Sequence, residues 1–243
     1  MISPESGEES GEEAAVSTPA VRRNLRQAFE LADSYGLLLA MLVTDYLLLS
    51  LSSPDAPLRV LQSIFVGSTV ILAFHTSRAN PRLVRAAIIA ALIVLVAAIF
   101  RLVFDTDELG GAGAALFGVL LLLCPPVILR RVLGHERVGI ETILGALCVY
   151  LMLGLLFAYT YAAIDGFTGD FVVQTQTPSP SDYVYFSVIT LTTTGYGDLS
   201  PAPGAPRAAA MMEALTGGIF LVTLVSRMVA MYGEDRPFRQ PRG

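Results

Sequence analysis

Six apolar runs, each about as long as one bilayer-crossing helix, constrain this chain more than any other feature of its sequence. A helix needs about 20 mostly apolar residues to cross the hydrocarbon core. Hydrophobic residues make up 53% of the chain and charged residues 15%, with a mean hydropathy of +0.61. We therefore predict an all-α integral membrane protein with six transmembrane helices, near residues 34–52, 58–76, 83–104, 112–129, 139–164 and 206–231.

The basic residues predict how these helices are oriented. All 16 basic residues are arginines. If the N-terminus is cytoplasmic, only Arg59, Arg101 and Arg207 fall on the outer side, together with the acidic segment 105–109. The positive-inside rule then predicts that both termini are cytoplasmic. The Ala- and Leu-rich composition without lysine further suggests a bacterial inner membrane.

The ends of the chain predict little folded structure outside the membrane. Residues 1–20 are acidic and lack an apolar core, so we expect a disordered cytoplasmic tail and no signal peptide. Residues 21–33 form an amphipathic pattern, which fits either an interfacial helix or a cytosolic continuation of the first transmembrane helix. Residues 232–243 are expected to be a short cytoplasmic tail. Cys124 and Cys148 fall within apolar runs and are predicted to be packed thiols.

The segment between the last two apolar runs predicts a re-entrant loop. A polar, Pro-rich stretch at 172–182 precedes the aromatic and β-branched run "YVYFSVITLTT". This run predicts a short helix, capped by Ser181 or Asp182, that is too short to span the membrane. A short helix followed by irregular backbone is tolerated at membrane depth only where protein or water covers its backbone.

The stretch "TTTGYGD" at 192–198 follows this helix and predicts a path for cations. Gly195 and Gly197 can adopt positive φ, which lets successive carbonyl groups point to one side. Four chains around an axis would then present rings of backbone oxygens that replace the hydration shell of an ion. The expected oxygens are the backbone carbonyls of Thr193, Thr194, Gly195 and Tyr196, with the Thr193 hydroxyl as an innermost ring.

This stretch resembles the filter signature of the potassium channel superfamily, and the helix–loop–helix frame at 139–231 resembles the pore domain of that superfamily. The resemblance implies a homotetrameric, potassium-selective channel that needs no cofactor other than its permeant ions. The family has Val where this chain has Thr194, and the change is expected to affect packing behind the filter more than selectivity. The predicted ion-binding residues are Thr193, Thr194, Gly195, Tyr196 and Gly197, and the predicted filter supports are Tyr185, Phe186, Thr192, Asp198 and Glu213.

The last apolar run carries two further predictions. Gly217 and Gly218 lie where the inner helices of the family commonly bend, so the resemblance implies a gating hinge; close helix packing is the alternative. Glu213 is an acid within a transmembrane run, where acids are costly and usually paired or functional. We expect it to pair with Ser187 or Thr190 and to brace the filter from behind.

The first four runs, residues 34–133, resemble the peripheral bundle of voltage-gated channels. The fourth run has no arginine before Arg130, and Pro125–Pro126 interrupt its hydrogen bonding, so steep voltage gating is not expected. Asp45 and Arg101 could form an ion pair within the membrane, or each could reach separately to water or to the interface.

Other classes of function find less support in the sequence. His75 and His135 form no metal-binding pattern with the two cysteines, and no nucleophile or phosphate-binding motif occurs, so no enzyme is expected. A membrane chain with a net charge of −5 is not expected to bind nucleic acid. A potassium-uptake carrier subunit, a non-selective cation channel and a non-conducting subunit remain as alternatives.

Overall fold

The computed structural model describes residues 19–51, 56–76, 81–104, 110–133, 140–174 and 177–234. Each predicted apolar run corresponds to one helix, although the run 34–52 extends beyond the end of its helix at Ser50, and a short additional helix lies between the last two. Apart from an isolated bridge between Val172 and Pro201, these residues contain no strand. The helices are α1 (Pro19–Ser50), α2 (Ala56–Thr76), α3 (Pro81–Phe104), α4 (Gly110–Leu133), α5 (Ile140–Thr168), α6 (Pro180–Leu191) and α7 (Ala205–Glu234).

Three of these helices contain stretches that are long and apolar enough to cross a membrane. Within the described residues they are Gly111–Arg130 of α4, Ile140–Thr168 of α5 and Ala205–Arg227 of α7. The described apolar stretches of α1, α2 and α3 are shorter, at 10–17 residues each. Crossing by these three helices therefore stays a prediction.

Helix α1 is continuous from Pro19 to Ser50, so residues 21–33 belong to the same helix as the first apolar run. The position of this amphipathic part relative to the membrane stays a prediction. Several other predictions fall outside the described residues or side chains. They are the acidic tail up to residue 18, the end of the chain after residue 234, the side chain of Arg101 and the site of His135.

The peripheral helices and the C-terminal helices share one apolar core. Among residues 35–50 of α1, whose side chains are described, one stripe is buried and includes Tyr35, Leu38 and Leu42. It joins the same cluster as Met152 and Leu155 of α5. Helix α4 also packs along α5, and α1 reaches α6 as well. Helix α1 is thus in contact with the part of the chain that carries the predicted filter.

Helix α4 continues through Pro125 and Pro126. A proline lacks the amide proton that would complete the helical hydrogen bond, so two such bonds are missing in this helix. Cys124 and Cys148 are both free and buried, which confirms that they are packed thiols. Each thiol faces a backbone carbonyl, that of Leu120 at 3.4 Å and that of Tyr35 at 3.6 Å, respectively.

Candidate functional site

The N-cap of helix α6 is Ser179, and not Ser181 or Asp182 as predicted. The helix therefore begins earlier than the sequence predicts. Pro180 occupies the first helical position, where its fixed φ suits a helix and its missing amide proton costs nothing. The Asp182 carboxylate accepts a hydrogen bond from the Ser179 amide at 2.7 Å, and the Asp182 amide donates to the Ser179 carbonyl at 3.0 Å. Asp182 is therefore the N3 residue of a capping box, in which Ser179 is the N-cap.

The C-terminal end of α6 holds the beginning of the "TTTGYGD" stretch. The helix has 12 residues, too few to span a bilayer. Its last carbonyl groups would lack partners, but the amides that follow turn back to them. The Thr192 amide donates to the Val188 carbonyl and the Thr193 amide to the Thr190 carbonyl, both at 3.0 Å. The amides of Thr194 and Gly195 both donate to the Ile189 carbonyl, at 2.8 and 3.1 Å.

Positive φ occurs at every second residue of this stretch. The φ angles are 57° at Thr193, 51° at Gly195 and 82° at Gly197, whereas Thr194 and Tyr196 do not have positive φ. In an extended strand successive carbonyls point to opposite sides, and a left-handed residue at every second position removes that alternation. Among the described residues, no hydrogen bond ends on the carbonyls of residues 193–197. The backbone oxygens of this stretch are thus available to a ligand.

Thr193 is the one described residue other than glycine with positive φ, which the sequence analysis did not predict. The left-handed region costs an L-residue about 1–2 kcal/mol. Such strain persists where the surroundings fix the backbone. Here the amides of Thr193 and Thr194 are both bonded to α6.

The side chains of the stretch are exposed in the single chain. Residues 192–198 are all exposed, and the Tyr196 side chain has 73% exposure. The Thr192 hydroxyl lies 2.7 Å from the Val188 carbonyl and 2.8 Å from the Thr194 hydroxyl. The hydroxyl of Thr194, which replaces the usual valine, therefore has a partner within the stretch.

Asp198 and Tyr185 join the end of the stretch to the middle of α6. The Tyr185 hydroxyl donates a hydrogen bond to the Asp198 carboxylate at 2.6 Å. This bond favours the ionised carboxylate and lowers the pKa of Asp198 below its ordinary value. The same bond raises the pKa of Tyr185 to about 12.

The segment after Asp198 is attached to the segment before α6. The Val173 amide donates to the Ser200 carbonyl at 3.0 Å, and the Ala202 amide donates to the Phe171 carbonyl at 2.9 Å. The Ser200 amide also donates to the Gln174 side chain at 2.8 Å. We call residues 171–174 and 200–202 the outer clasp. Neither segment has a repeating pattern that would have predicted the pairing.

Phe186, a predicted filter support, is buried in an aromatic cluster behind the stretch. Its ring lies edge-on to the rings of Tyr161 and Phe171, with centroids 5.1 and 5.4 Å apart, respectively. Tyr183 joins the cluster through Phe171 at 4.9 Å. Edge-to-face pairs of this kind stabilise a core beyond the area that they bury.

Glu213 is fully buried and connects three helices. Its carboxyl group accepts hydrogen bonds from Ser187 of α6 and, at 2.6 Å, from the Tyr161 hydroxyl of α5. Ser187 is one of the two partners that the sequence predicts, whereas Tyr161 was missed. The hydroxyl of Ser187 also lies 2.7 Å from the Gly154 carbonyl. A tyrosine within an apolar run is the signal that could have indicated Tyr161, because a buried hydroxyl needs a partner.

The two glycines of α7 have different surroundings. A Cβ atom on Gly217 would lie 2.9 Å from the Leu191 carbonyl oxygen and 2.8 Å from Leu191 Cδ1, whereas one on Gly218 would meet nothing within 4 Å. The contact favours the alternative of close packing for Gly217. Helix α7 is continuous through both residues. A bend at Gly218 stays a prediction.

A comparison with protein families agrees with the location of these features. Residues 145–234, which include most of α5, all of α6 and α7 and the stretch between them, match a family model described as "Ion channel". No curated protein and no solved structure matched the chain. The family match supports the resemblance to the potassium channel superfamily. This part of the chain is an ion-channel domain, and its apolar helices indicate a membrane protein.

Proposed function

We propose that this ion-channel domain forms a potassium-selective pore, assembled from four copies of the chain around one axis. The observation that carries the proposal is the alternating positive φ at Thr193, Gly195 and Gly197. The amides of 193–195 are bonded to α6, and the carbonyls of 193–197 are left available. This backbone supplies oxygen atoms and turns its proton donors away from them, as a cation requires.

Conduction in this proposal is passive. Rings of carbonyl oxygens from Thr193, Thr194, Gly195 and Tyr196, with the Thr193 hydroxyl, replace the hydration shell of K⁺, and adjacent sites let one ion displace the next. Gly197 completes the filter by giving the backbone its last left-handed residue. Ions then move down their electrochemical gradient without a further cofactor.

Four-fold assembly is supported by what a single chain leaves exposed. The "TTTGYGD" stretch is open to solvent, and one chain cannot surround an ion with it. Helix α7 also exposes a long apolar surface, which neighbouring subunits and lipid would cover. Its exposed large residues are Met211, Met212, Leu215, Ile219, Leu221, Val222, Val225 and Val229.

Residues around the filter are assigned supporting roles. Tyr185 and Asp198 fix its outer end, and the Thr192 hydroxyl engages Thr194 at its inner end. Phe186 packs behind it, and Glu213 holds α6 against α5 and α7. In this proposal Gly218 is the point where α7 bends, and a side chain there would have open space.

The remaining helices complete the proposed topology. Helices α1 to α4 cross the membrane beside the pore, so each chain has six crossings with both termini in the cytoplasm. The location is the inner membrane of a bacterium. No row of arginines lies on α4 before Arg130, so opening is not steeply dependent on voltage.

The test is an ion-flux assay on the purified full chain in liposomes, first under a K⁺ gradient and then under a Na⁺ gradient. Gly195→Ala is compared with Gly169→Ala as a matched control. Both glycines have positive φ and no atom within 4 Å of an added Cβ, but Gly169 lies outside the filter. We expect K⁺-selective flux that Gly195→Ala abolishes and Gly169→Ala retains.

Each alternative gives a different result in this assay. Equal K⁺ and Na⁺ flux would indicate a non-selective cation channel. An absence of flux with a monomeric or dimeric mass would favour a carrier subunit, because one chain holds a single pore loop. An absence of flux from a tetramer that also fails to bind K⁺ would indicate a non-conducting subunit.

A further inference from the structure

Leu191, the last residue of α6, is enclosed between two glycines from different helices. A Cβ atom on Gly154 of α5 would lie 3.4 Å from Leu191 Cδ2, and one on Gly217 of α7 would lie 2.8 Å from Leu191 Cδ1. The Leu191 side chain has only 3% exposure. Its carbonyl accepts a hydrogen bond from the Tyr150 hydroxyl at 3.0 Å. Leu191 is thus fixed on both sides, directly before the filter stretch.

A tyrosine from the peripheral bundle reaches the same place. The hydroxyl of Tyr46 on α1 donates a hydrogen bond to the Leu151 carbonyl of α5 at 2.8 Å. A Cβ atom on Gly154 would overlap this hydroxyl, so the absence of a side chain there makes room for Tyr46. The Gly154 position is therefore occupied by Tyr46 from one direction and by Leu191 from another.

We propose that Tyr46 is a positioning residue for the filter. Through it, α1 sets the position in space of the first residues of the filter stretch. The proposal rests on the proposed function, because it takes residues 193–197 as the filter. Tyr46 acts through Gly154 on Leu191. Displacement of Leu191 moves the last turn of α6, whose carbonyls hold the amides of Thr193 and Thr194.

The contacts leave this connection little freedom to absorb a movement. Packed interiors have few voids, so a shift of one side chain displaces its neighbours. The Tyr46 hydroxyl also cannot leave the Leu151 carbonyl without losing the acceptor of its proton in apolar surroundings, which costs free energy. The preceding residue, Asp45, accepts a hydrogen bond from Thr69 of α2 at 2.6 Å. Adjacent residues of α1 are thus bonded to α2 on one side and to α5 on the other.

The test measures amide hydrogen exchange in the full chain reconstituted in lipid nanodiscs, for wild type, Tyr46→Phe and Thr44→Val. Tyr46→Phe keeps the ring and removes the hydroxyl. Thr44→Val is the matched control on the same helix, because in the described part of the chain the Thr44 hydroxyl bonds within its own helix, to the Ala40 carbonyl. Peptides that contain residues 192–195 report on the filter, and peptides from α2 and α3 report on the rest of the fold.

We expect exchange at residues 192–195 to be about five-fold faster in Tyr46→Phe, the factor that corresponds to about 1 kcal/mol for one hydrogen bond. Thr44→Val and the peptides from α2 and α3 should match wild type. Unchanged exchange at 192–195, or an equal increase throughout the chain, would overturn the proposal. The second result would show that Tyr46 stabilises only the fold.

Potassium flux through the same samples separates this proposal from the proposed function. If wild type conducts K⁺ selectively, Tyr46→Phe should also change the rate at which K⁺ flux decreases with time during the assay. Thr44→Val should leave that rate unchanged. Wild type without K⁺ flux would contradict the proposed function, and a selective change in exchange would still establish the link from α1 to residues 192–195.

Discussion

The carboxyl group of Glu213 places two hydrogen-bond acceptors at the point where α5, α6 and α7 meet. Each oxygen serves a different hydroxyl, that of Ser187 or that of Tyr161. A buried hydroxyl that loses its acceptor costs about 1–3 kcal/mol. The geometry therefore makes the carboxyl group, and not only the size of the side chain, important for stability.

We expect Glu213→Leu to lower the stability of the ion-channel domain and to speed the decline of K⁺ flux, because leucine removes both acceptors and leaves the buried Tyr161 hydroxyl without one. The loss should be about 1–3 kcal/mol in the free energy of unfolding. Thermal unfolding and flux kinetics measure the two effects. Thr216→Val is the control on α7, since its hydroxyl bonds within its own helix. Unchanged flux and stability in Glu213→Leu would show that Glu213 does not brace the filter.

In the proposed filter, we expect Asp198 to make the outer end sensitive to acid. Its pKa is lowered in the folded protein by the Tyr185 hydroxyl, so the stabilisation is complete above the ordinary Asp value and is lost as pH falls through the lowered pKa. We expect wild-type flux kinetics to be constant from neutral pH down to about pH 4, the ordinary Asp range.

Tyr185→Phe removes that hydrogen bond, so the pKa of Asp198 should rise toward its ordinary value. Acid should then alter flux kinetics at a higher external pH than in wild type. The measurement is K⁺ flux over a series of external pH values in both proteins. The same acid threshold in both would contradict a role for the Tyr185–Asp198 contact.

At the scale of elements, α7 carries two adjacent glycines with different expected roles. Alanine at Gly217 would press on the backbone of Leu191, whereas alanine at Gly218 has open space. We expect Gly217→Ala to destabilise the fold by about 1–3 kcal/mol, the usual cost of overpacking. Gly218→Ala should stabilise α7 by up to about 1 kcal/mol, because alanine favours a helix.

Measurements of open probability and melting temperature distinguish a packing role from a bending role at these two positions. If α7 bends at Gly218, Gly218→Ala should reduce the open probability in planar bilayers while the melting temperature holds or rises. Gly217→Ala should lower the melting temperature. An open probability unchanged in Gly218→Ala would exclude a hinge there.

How well each element could be predicted depends on the length of its pattern. Apolar runs of about 20 residues predict helices, and the six runs correspond to α1 to α5 and α7. The start of α6 was placed too late, because its cap uses Ser179 and Pro180, which the sequence presents as part of a polar, Pro-rich stretch. The positive φ at Gly195 and Gly197 was predicted because glycine alone adopts it freely. The same conformation at Thr193 depends on hydrogen bonds to α6 that have no local signature.

At the scale of the whole molecule, contacts between distant parts of the chain were the hardest to predict. The sequence indicated that Glu213 needs a partner and suggested Ser187, which lies close in a helix–loop–helix arrangement. It did not indicate Tyr161, Tyr46 or the outer clasp, since each joins segments whose separation only the fold determines. The core that α1 shares with α5 was not predicted for the same reason.

The proposed assembly predicts the mass of the particle. Native mass measurement in mild detergent should give four chains of 25.9 kDa each, without a partner protein. The reason is that the filter stretch and the apolar surface of α7 lie exposed in one chain. A uniform dimer or monomer that still supports K⁺ flux would contradict the four-fold pore.

The outer clasp has a consequence for how the filter can change its conformation. The stretch is attached to α6 at one end and, through Ser200 and Ala202, to residues 171–174 at the other. While these bonds hold, they oppose lengthening of the stretch and sliding of the stretch along the axis of the proposed pore. Because the amides of Thr193, Thr194 and Gly195 are bonded to α6, what remains is rotation of the peptide planes that follow Gly195, in which one carbonyl leaves the axis and returns. A non-conducting filter would then differ from a conducting one by a local crankshaft rotation, with every helix in place.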